Sequence, residues 1–129
     1  GGLSEEASFI IFGDMNADPL DGDSYNTAIS QLLQHPRINQ KVATGQLIPA
    51  SNGGSANSQQ SEKLKSHKGK PSEDTSEWGL RVDYVLPSNN LQTINSGIFW
   101  PAENESFGYL TAKKASSDHR LVWVDVLLD

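Results

Sequence analysis

The chain has 129 residues, 16 acidic against 10 basic side chains for a formal net charge of −6, and no cysteine. One domain of this length buries a real core. The acidic balance argues against broad electrostatic attraction to nucleic acid, and the missing cysteines exclude disulfides and thiolate metal sites. Residues 8–12, Ser-Phe-Ile-Ile-Phe, read as a buried strand because β-branched and aromatic residues dominate and Gly13 punctuates the end. Residues 14–23 form a polar turn with Pro19 and Gly22. A helix is expected over about 24–35, where Tyr25, Ala28, Ile29, Leu32 and Leu33 share one face, Asp23 or Ser24 caps the start and Pro36 marks the end.

Residues 44–77 are rich in Ser, Asn, Gln, Gly and Lys without an apolar period, so they read as a long polar, mobile loop inside a single domain. Lys63, Lys65, Lys68 and Lys70, with His67, form the basic cluster of the chain. It is either a solvated loop or a segment that brings positive charge to a phosphate. Strand character returns at 81–86 and, after a Pro87-Ser88-Asn89-Asn90 turn, at 91–100, with a kink or bulge expected at Gly97. Residues 101–117 read as a loop, and 121–128 as a central strand interrupted by Asp125. The order is strand, helix, long loop and three strands. It predicts an α/β (α+β) layer with few helices and one mixed sheet, apolar on both faces. No apolar run approaches the roughly 20 residues of a membrane helix, so no membrane partner is expected. No signal peptide is visible, and Gly1-Gly2 reads as an engineered scar or a cut within a longer chain.

Three short segments place carboxylates in or beside apolar runs, where an unpaired charge is costly. In Gly13-Asp14-Met15-Asn16, a carboxylate that can hold a hard cation or exchange a proton sits two residues from a carboxamide that can donate to a phosphoryl oxygen. The same pair also suits an ordinary Asx turn. In Arg81-Val82-Asp83-Tyr84-Val85-Leu86, alternation puts Asp83 on the face of Arg81 and Val85, as a water-facing edge carboxylate or as the orienter of a histidine. In Ser117-Asp118-His119-Arg120, adjacent residues at a strand entrance diverge. His119 can then face Asp83 while Asp118 turns to a metal or water, or the two form a plain surface turn. Asp18, Asp21 and Asp23 sit close together with Gly22 and serve either helix capping or, less simply, a calcium loop outside the EF-hand pattern.

Together, Gly-Asp-Met-Asn-Ala-Asp-Pro, Arg-Val-Asp-Tyr-Val-Leu and Ser-Ser-Asp-His-Arg-Leu-Val resemble the C-terminal motifs of the endonuclease/exonuclease/phosphatase (deoxyribonuclease-I-like) family. The resemblance implies the C-terminal half of a four-layer sandwich and a divalent-metal-dependent phosphoesterase acting by water attack. Asp14 would exchange a proton near the scissile phosphate, Asn16 would bind the phosphoryl group, and Asp118 with Asp14 would hold the metal. His119, oriented by Asp83, would bind phosphate and stabilise the transition state or activate water. The cofactor implied is Mg²⁺, or Mn²⁺ or Ca²⁺. The family's other metal ligands and second histidine belong to an N-terminal half that these motifs do not cover; His35 and His67 lie in no family motif. Weak metal binding and little hydrolysis by this chain alone are therefore expected. The partners expected are a phosphate ester or nucleic acid, the missing N-terminal half of the domain, and a second copy of the chain across the uncovered sheet face. A nuclease or general phosphodiesterase is the leading reading, without extended single-strand binding, since no aromatics alternate with the basic residues. A non-catalytic binding or assembly module is the alternative, and a calcium-binding surface domain ranks below it.

Overall fold

The structure, a computed structural model, describes residues 2–112 and 116–128. Gly1 and positions 113–115 of the expected 101–117 loop lie outside the described residues. Strand β1 is Ile10–Asp14, two residues later than the apolar run alone suggests, because its hydrogen bonding continues through Gly13. Helix α1 is Asn26–Leu33, followed by the short helices α2 (Gln40–Ala43), α3 (Asn52–Ser58) and α4 (Glu62–Lys65) and a 3-10 turn at Pro71–Glu73. Strands β2 (Asp83–Pro87), β3 (Thr93–Phe99) and β4 (Leu121–Val126) complete a mixed α/β architecture with few helices.

The strands pair as two antiparallel ladders, β1 with β2 and β3 with β4, in place of the single mixed sheet expected. Residues 75–77 explain the division. Arg120 N donates to Thr75 O at 2.8 Å, and Glu77 N to Asp118 O at 3.0 Å. The Thr75 hydroxyl oxygen accepts from Val82 N and Asp83 N, both at 3.0 Å. This segment occupies hydrogen-bonding groups at the entrances of β2 and β4 that a continuous ladder would use.

The main core lies between α1 and one face of the β1–β2 ladder. Ile29 and Leu33 of α1 and Tyr84 and Leu86 of β2 are buried there with Ala17, Ile38 and Ala43, and Phe9, Ile11 and Met15 pack against them. β1 is not the buried strand its composition predicts: the alternation that turns Ile11 inward turns Ile10 and Phe12 outward, leaving Phe12 74% exposed. β4 is not the central strand expected from its apolar run. Only β3 pairs with it among the described residues, and Leu121, Trp123 and Asp125 face out while Val122, Val124 and Val126 are half-buried.

α1 also differs from expectation at its start. Tyr25 is the N-cap residue, in an extended conformation with no side-chain cap bond, and it is exposed instead of joining the apolar face. Asp23 and Ser24 therefore precede the cap position and do not serve it. The bulge falls between Thr93 and Asn95, while Gly97 pairs regularly with Trp123. A Cβ at Gly97 would stand 2.7 Å from the Trp123 Cζ2 atom, so the glycine makes room for an indole.

Residues 44–77 carry two short α-helices and a 3-10 turn where a structureless loop was expected. Their polar residues act as caps: Ser51 Oγ accepts from Gly54 N at 3.1 Å, and Ser61 Oγ from Leu64 N at 3.3 Å. The Asp21 carboxylate ties the far end down by accepting from Lys68 N at 2.9 Å and Gly69 N at 2.7 Å. Helices of 7 and 4 residues are too short to show an apolar period, which is why composition alone concealed them.

Candidate active site

The antiparallel register of β1 and β2 sets Asp14 directly opposite Asp83. Like charges facing across a ladder repel, so a group of opposite sign or a hydrogen-bond donor beside them relieves the register. His119 reaches the same place from the entrance of β4. Its backbone bridges to Ser76, and Ser117 Oγ accepts from its N–H at 3.1 Å. Its Nδ1 lies 2.9 Å from Asp83 Oδ2, which makes Nδ1–H the donor to the carboxylate and leaves Nε2 for other partners. The hydrogen bond that His119 donates to Asp83 raises the His119 pKa above its ordinary 6.5, partial burial opposes this, and the charges of Asp83, Asp14 and Asp118 add to the rise. The edge of one ring meets the face of the other between His119 and Trp78, with centroids 5.0 Å apart.

Asp14, Asp83 and His119 offer ligand atoms that all lie within 4.8 Å of one another. Two carboxylates and one imidazole are donor types that suit a divalent cation, but Asp83 and His119 already bond to each other, so the Asp14 carboxylate is the open ligand of the group. Asp118 is half-buried outside that group, with its carbonyl bonded to Glu77 N. Asn16 adopts a left-handed backbone (φ 47°) and donates its N–H to Asp14 Oδ1 at 2.8 Å. The Asx turn is thus formed, and it leaves Asp14 Oδ2 without a hydrogen-bond partner among the described residues. Beside Asp14 and Asp83 runs an open groove of about 200 Å³, walled by Phe12, Val85 and Leu121.

Arg81 does not join the site. It is buried, donates through Nη1 to Ala43 O at 3.0 Å and lies over the Tyr84 ring. Nor do the carboxylates of the 18–23 turn form a cation loop. Asp18 Oδ1 accepts from Leu20 N and Asp21 N, and its Oδ2 accepts from Arg81 N at 2.7 Å. Both oxygens of Asp21 are likewise occupied by amides of the 68–69 segment. These groups hold loops together. His35 Nδ1 accepts from Arg37 N, and His67 Nδ1 donates to Gly79 O at 2.6 Å.

Three residues that hold the site carry no role assignable from sequence alone. Thr75, 1% exposed, connects the backbones of Asp83 and Arg120 through the bonds described above. Trp78 packs on His119. Arg120, buried over the Trp100 ring, donates to the carbonyls of Ser117 (2.5 Å), His119 (3.1 Å) and Thr111 (3.0 Å) and fixes the loop that presents His119. Only Arg120 falls within a motif. Thr75 sits in the polar stretch and Trp78 just after it, where no periodicity points to them.

The family model described as Endonuclease/Exonuclease/phosphatase family matches residues 1–119. No curated protein and no solved structure matches the chain.

Proposed function

Because the chain belongs to the endonuclease/exonuclease/phosphatase family, we infer that Asp14, Asp83 and His119 form its share of a divalent-metal-dependent phosphoester hydrolase. The observation that carries this reading is the 2.9 Å Asp83–His119 pair held at the strand end where Asp14 faces Asp83. A carboxylate on Nδ1 fixes the ring so that Nε2 points its lone pair or proton at a substrate. The raised pKa of His119 favours the imidazolium, which donates Nε2–H to a phosphoryl oxygen as negative charge gathers there. Asp14 Oδ2 is open to exchange a proton with the attacking water or the leaving group. The Asn16 carboxamide, on the same turn, donates to a second phosphoryl oxygen and holds the group in line. A divalent ion, Mg²⁺ or alternatively Mn²⁺ or Ca²⁺, held by Asp14 with Asp118, would neutralise phosphoryl charge and acidify water.

In this reading the chain binds such an ion weakly by itself. Asp83 and His119 are spent on each other, which leaves few carboxylates for an ion that keeps several of its waters. The test compares the protein of the whole reading frame with this chain on a nitrophenyl phosphodiester and a phosphomonoester, with Mg²⁺ or Mn²⁺ and with chelator. Metal-dependent cleavage that falls by about 10²–10⁴-fold in Asp14→Asn and His119→Ala is expected. A folded protein that cleaves neither ester, or cleaves equally in chelator, rejects the reading.

A further inference from the structure

Asp74 is a buried acid that takes no part in the site, yet it stands in the segment that frames it. It is 7% exposed, and no donor among the described residues reaches its carboxylate. Its surroundings offer none. Leu80 O accepts from Thr75 N at 2.9 Å, while the N–H of the same peptide, that of Arg81, donates to Asp18 Oδ2 at 2.7 Å. A single peptide thus separates Asp18 from the residue after Asp74. Asp21 holds the start of the segment through Gly69 N. Both carboxylates act here as acceptors. On the 3-10 turn itself, Glu73 pairs with Lys70 at 3.5 Å. Helix α3 packs on that turn, with Ser51 N donating to Ser72 O at 2.8 Å, and carries no titratable side chain. The Arg81 guanidinium is turned to Ala43 O and the Tyr84 ring. Asp118 and His119 of the 117–120 loop meet the segment farther on, at Ser76 and Glu77. Asp74 therefore faces Asp18, Asp21 and Glu73, and its burial is cheap only while it carries its own proton. Burial first, and then those three charges, lift its pKa from 3.8 to about 7.

The next residue connects Asp74 to the site. The Thr75 hydroxyl accepts from Val82 N and Asp83 N, and its carbonyl accepts from Arg120 N. We propose that Asp74 is a proton-controlled latch: with its proton the 71–77 segment stays seated and Thr75 holds Asp83 and His119 in register, and without it the segment opens and the pair loses its frame. An ionised Asp74 lowers its energy by turning to water, and Thr75 moves with it. In the open segment Asp74 ionises from pH 3.8 upward, whereas in the seated segment it keeps its proton to about pH 7. Opening therefore grows across that window and levels off above it. The latch rests on the hydrolase reading only as regulation of that site; the opening itself is a property of the fold.

The test is amide hydrogen exchange, corrected for its intrinsic pH dependence, at Val82, Asp83 and Arg120, with Leu33 of α1 as the reference. Between about pH 5 and pH 8, opening at the three amides relative to Leu33 should rise by about 10- to 100-fold in wild type. Asp74→Asn keeps the shape and cannot ionise, so its opening should stay level over the same range. In wild type the Asp74 carboxyl carbon, followed by 13C NMR, should titrate in step with the loss of protection. Equal pH dependence in the two proteins overturns the proposal, as does an Asp74 carboxyl that titrates near its ordinary 3.8. Leu33 losing protection in step with the three amides also overturns it, because the whole chain and not a latch would then be opening. No ester enters these measurements, so the hydrolase reading stands or falls on its own assay.

Discussion

Asp14 and Asp83 face each other across β1 and β2, and His119 is the hydrogen-bond donor that reaches them. Asp83→Asn removes the counter-charge while keeping the shape. The His119 pKa should then fall back toward 6.5, since its largest cause of elevation is the Asp83 hydrogen bond. If the imidazolium is the working form, the alkaline limb of the hydrolysis profile moves to lower pH and the rate drops by about 10²-fold. Titrating the His119 ring by NMR checks this, and an unmoved titration defeats it. Thr75→Val leaves the Val82 and Asp83 amides without their acceptor and should cost about 1–3 kcal/mol in urea unfolding, whereas Thr75→Ser keeps the oxygen and most of the stability. Asp74 makes the opposite contribution. It is 7% exposed, its carboxylate has no hydrogen-bond donor among the described residues, and burial, aided by the charges of Asp18, Asp21 and Glu73, lifts its pKa from 3.8 to about 7. The unfolded chain ionises Asp74 first, so its contribution to stability is complete below pH 3.8 and is lost as pH rises through about 7. Asp74→Asn should match wild type at the acid end and exceed it above neutrality by on the order of 1–3 kcal/mol, measured by unfolding at both pH values.

At the scale of elements, the packing of α4 on the Trp78 turn depends on Gly79. Alanine there must hold a positive φ and press on Leu64, and should cost about 1–3 kcal/mol while loosening α4 from the turn. Hydrogen exchange at the His67 and Leu64 amides is the measurement, and protection equal to wild type would show that α4 is held elsewhere. Elements with a strong local signal were legible from sequence: the apolar runs of β1 and β4, and the Ile29–Leu33 stripe of α1. So was the placing of Asp14 and His119 at strand ends, because a charge beside an apolar run stands out against its neighbours, whereas Asp83, expected inside an 81–86 strand, opens β2. What was not legible was made by polar contacts over long separations. The amides that Asp21 holds lie 47 and 48 residues away, and no periodicity encodes that pairing. The division into two ladders likewise follows from one threonine hydroxyl and two backbone bonds at residues 75–77, in a stretch whose composition reads as a loop.

For the molecule as a whole, the packed and open faces are unequal. α1 covers one face of the β1–β2 ladder, while Ile10, Phe12, Leu121 and Trp123 are exposed on their strands, with Phe12 74% and Leu121 68% exposed. Surface hydrophobics scattered singly are ordinary, but Phe12 and Leu121 wall the same groove beside Asp14 and Asp83. An apolar wall at the edge of a charged site draws either a covering surface or another molecule, because removing each such side chain from water is favourable by about 1.5–3 kcal/mol. The isolated chain should therefore bind the dye ANS and grow in light scattering with concentration. Because Phe12 and Leu121 contribute little to the folded core, Phe12→Ser with Leu121→Ser should remove both signals while shifting unfolding by only about 0.5 kcal/mol per site. A wild-type chain that stays monomeric at high concentration without binding the dye would show that the groove is too small to drive association. A double variant that unfolds would show that these side chains are packed more deeply than their exposure implies.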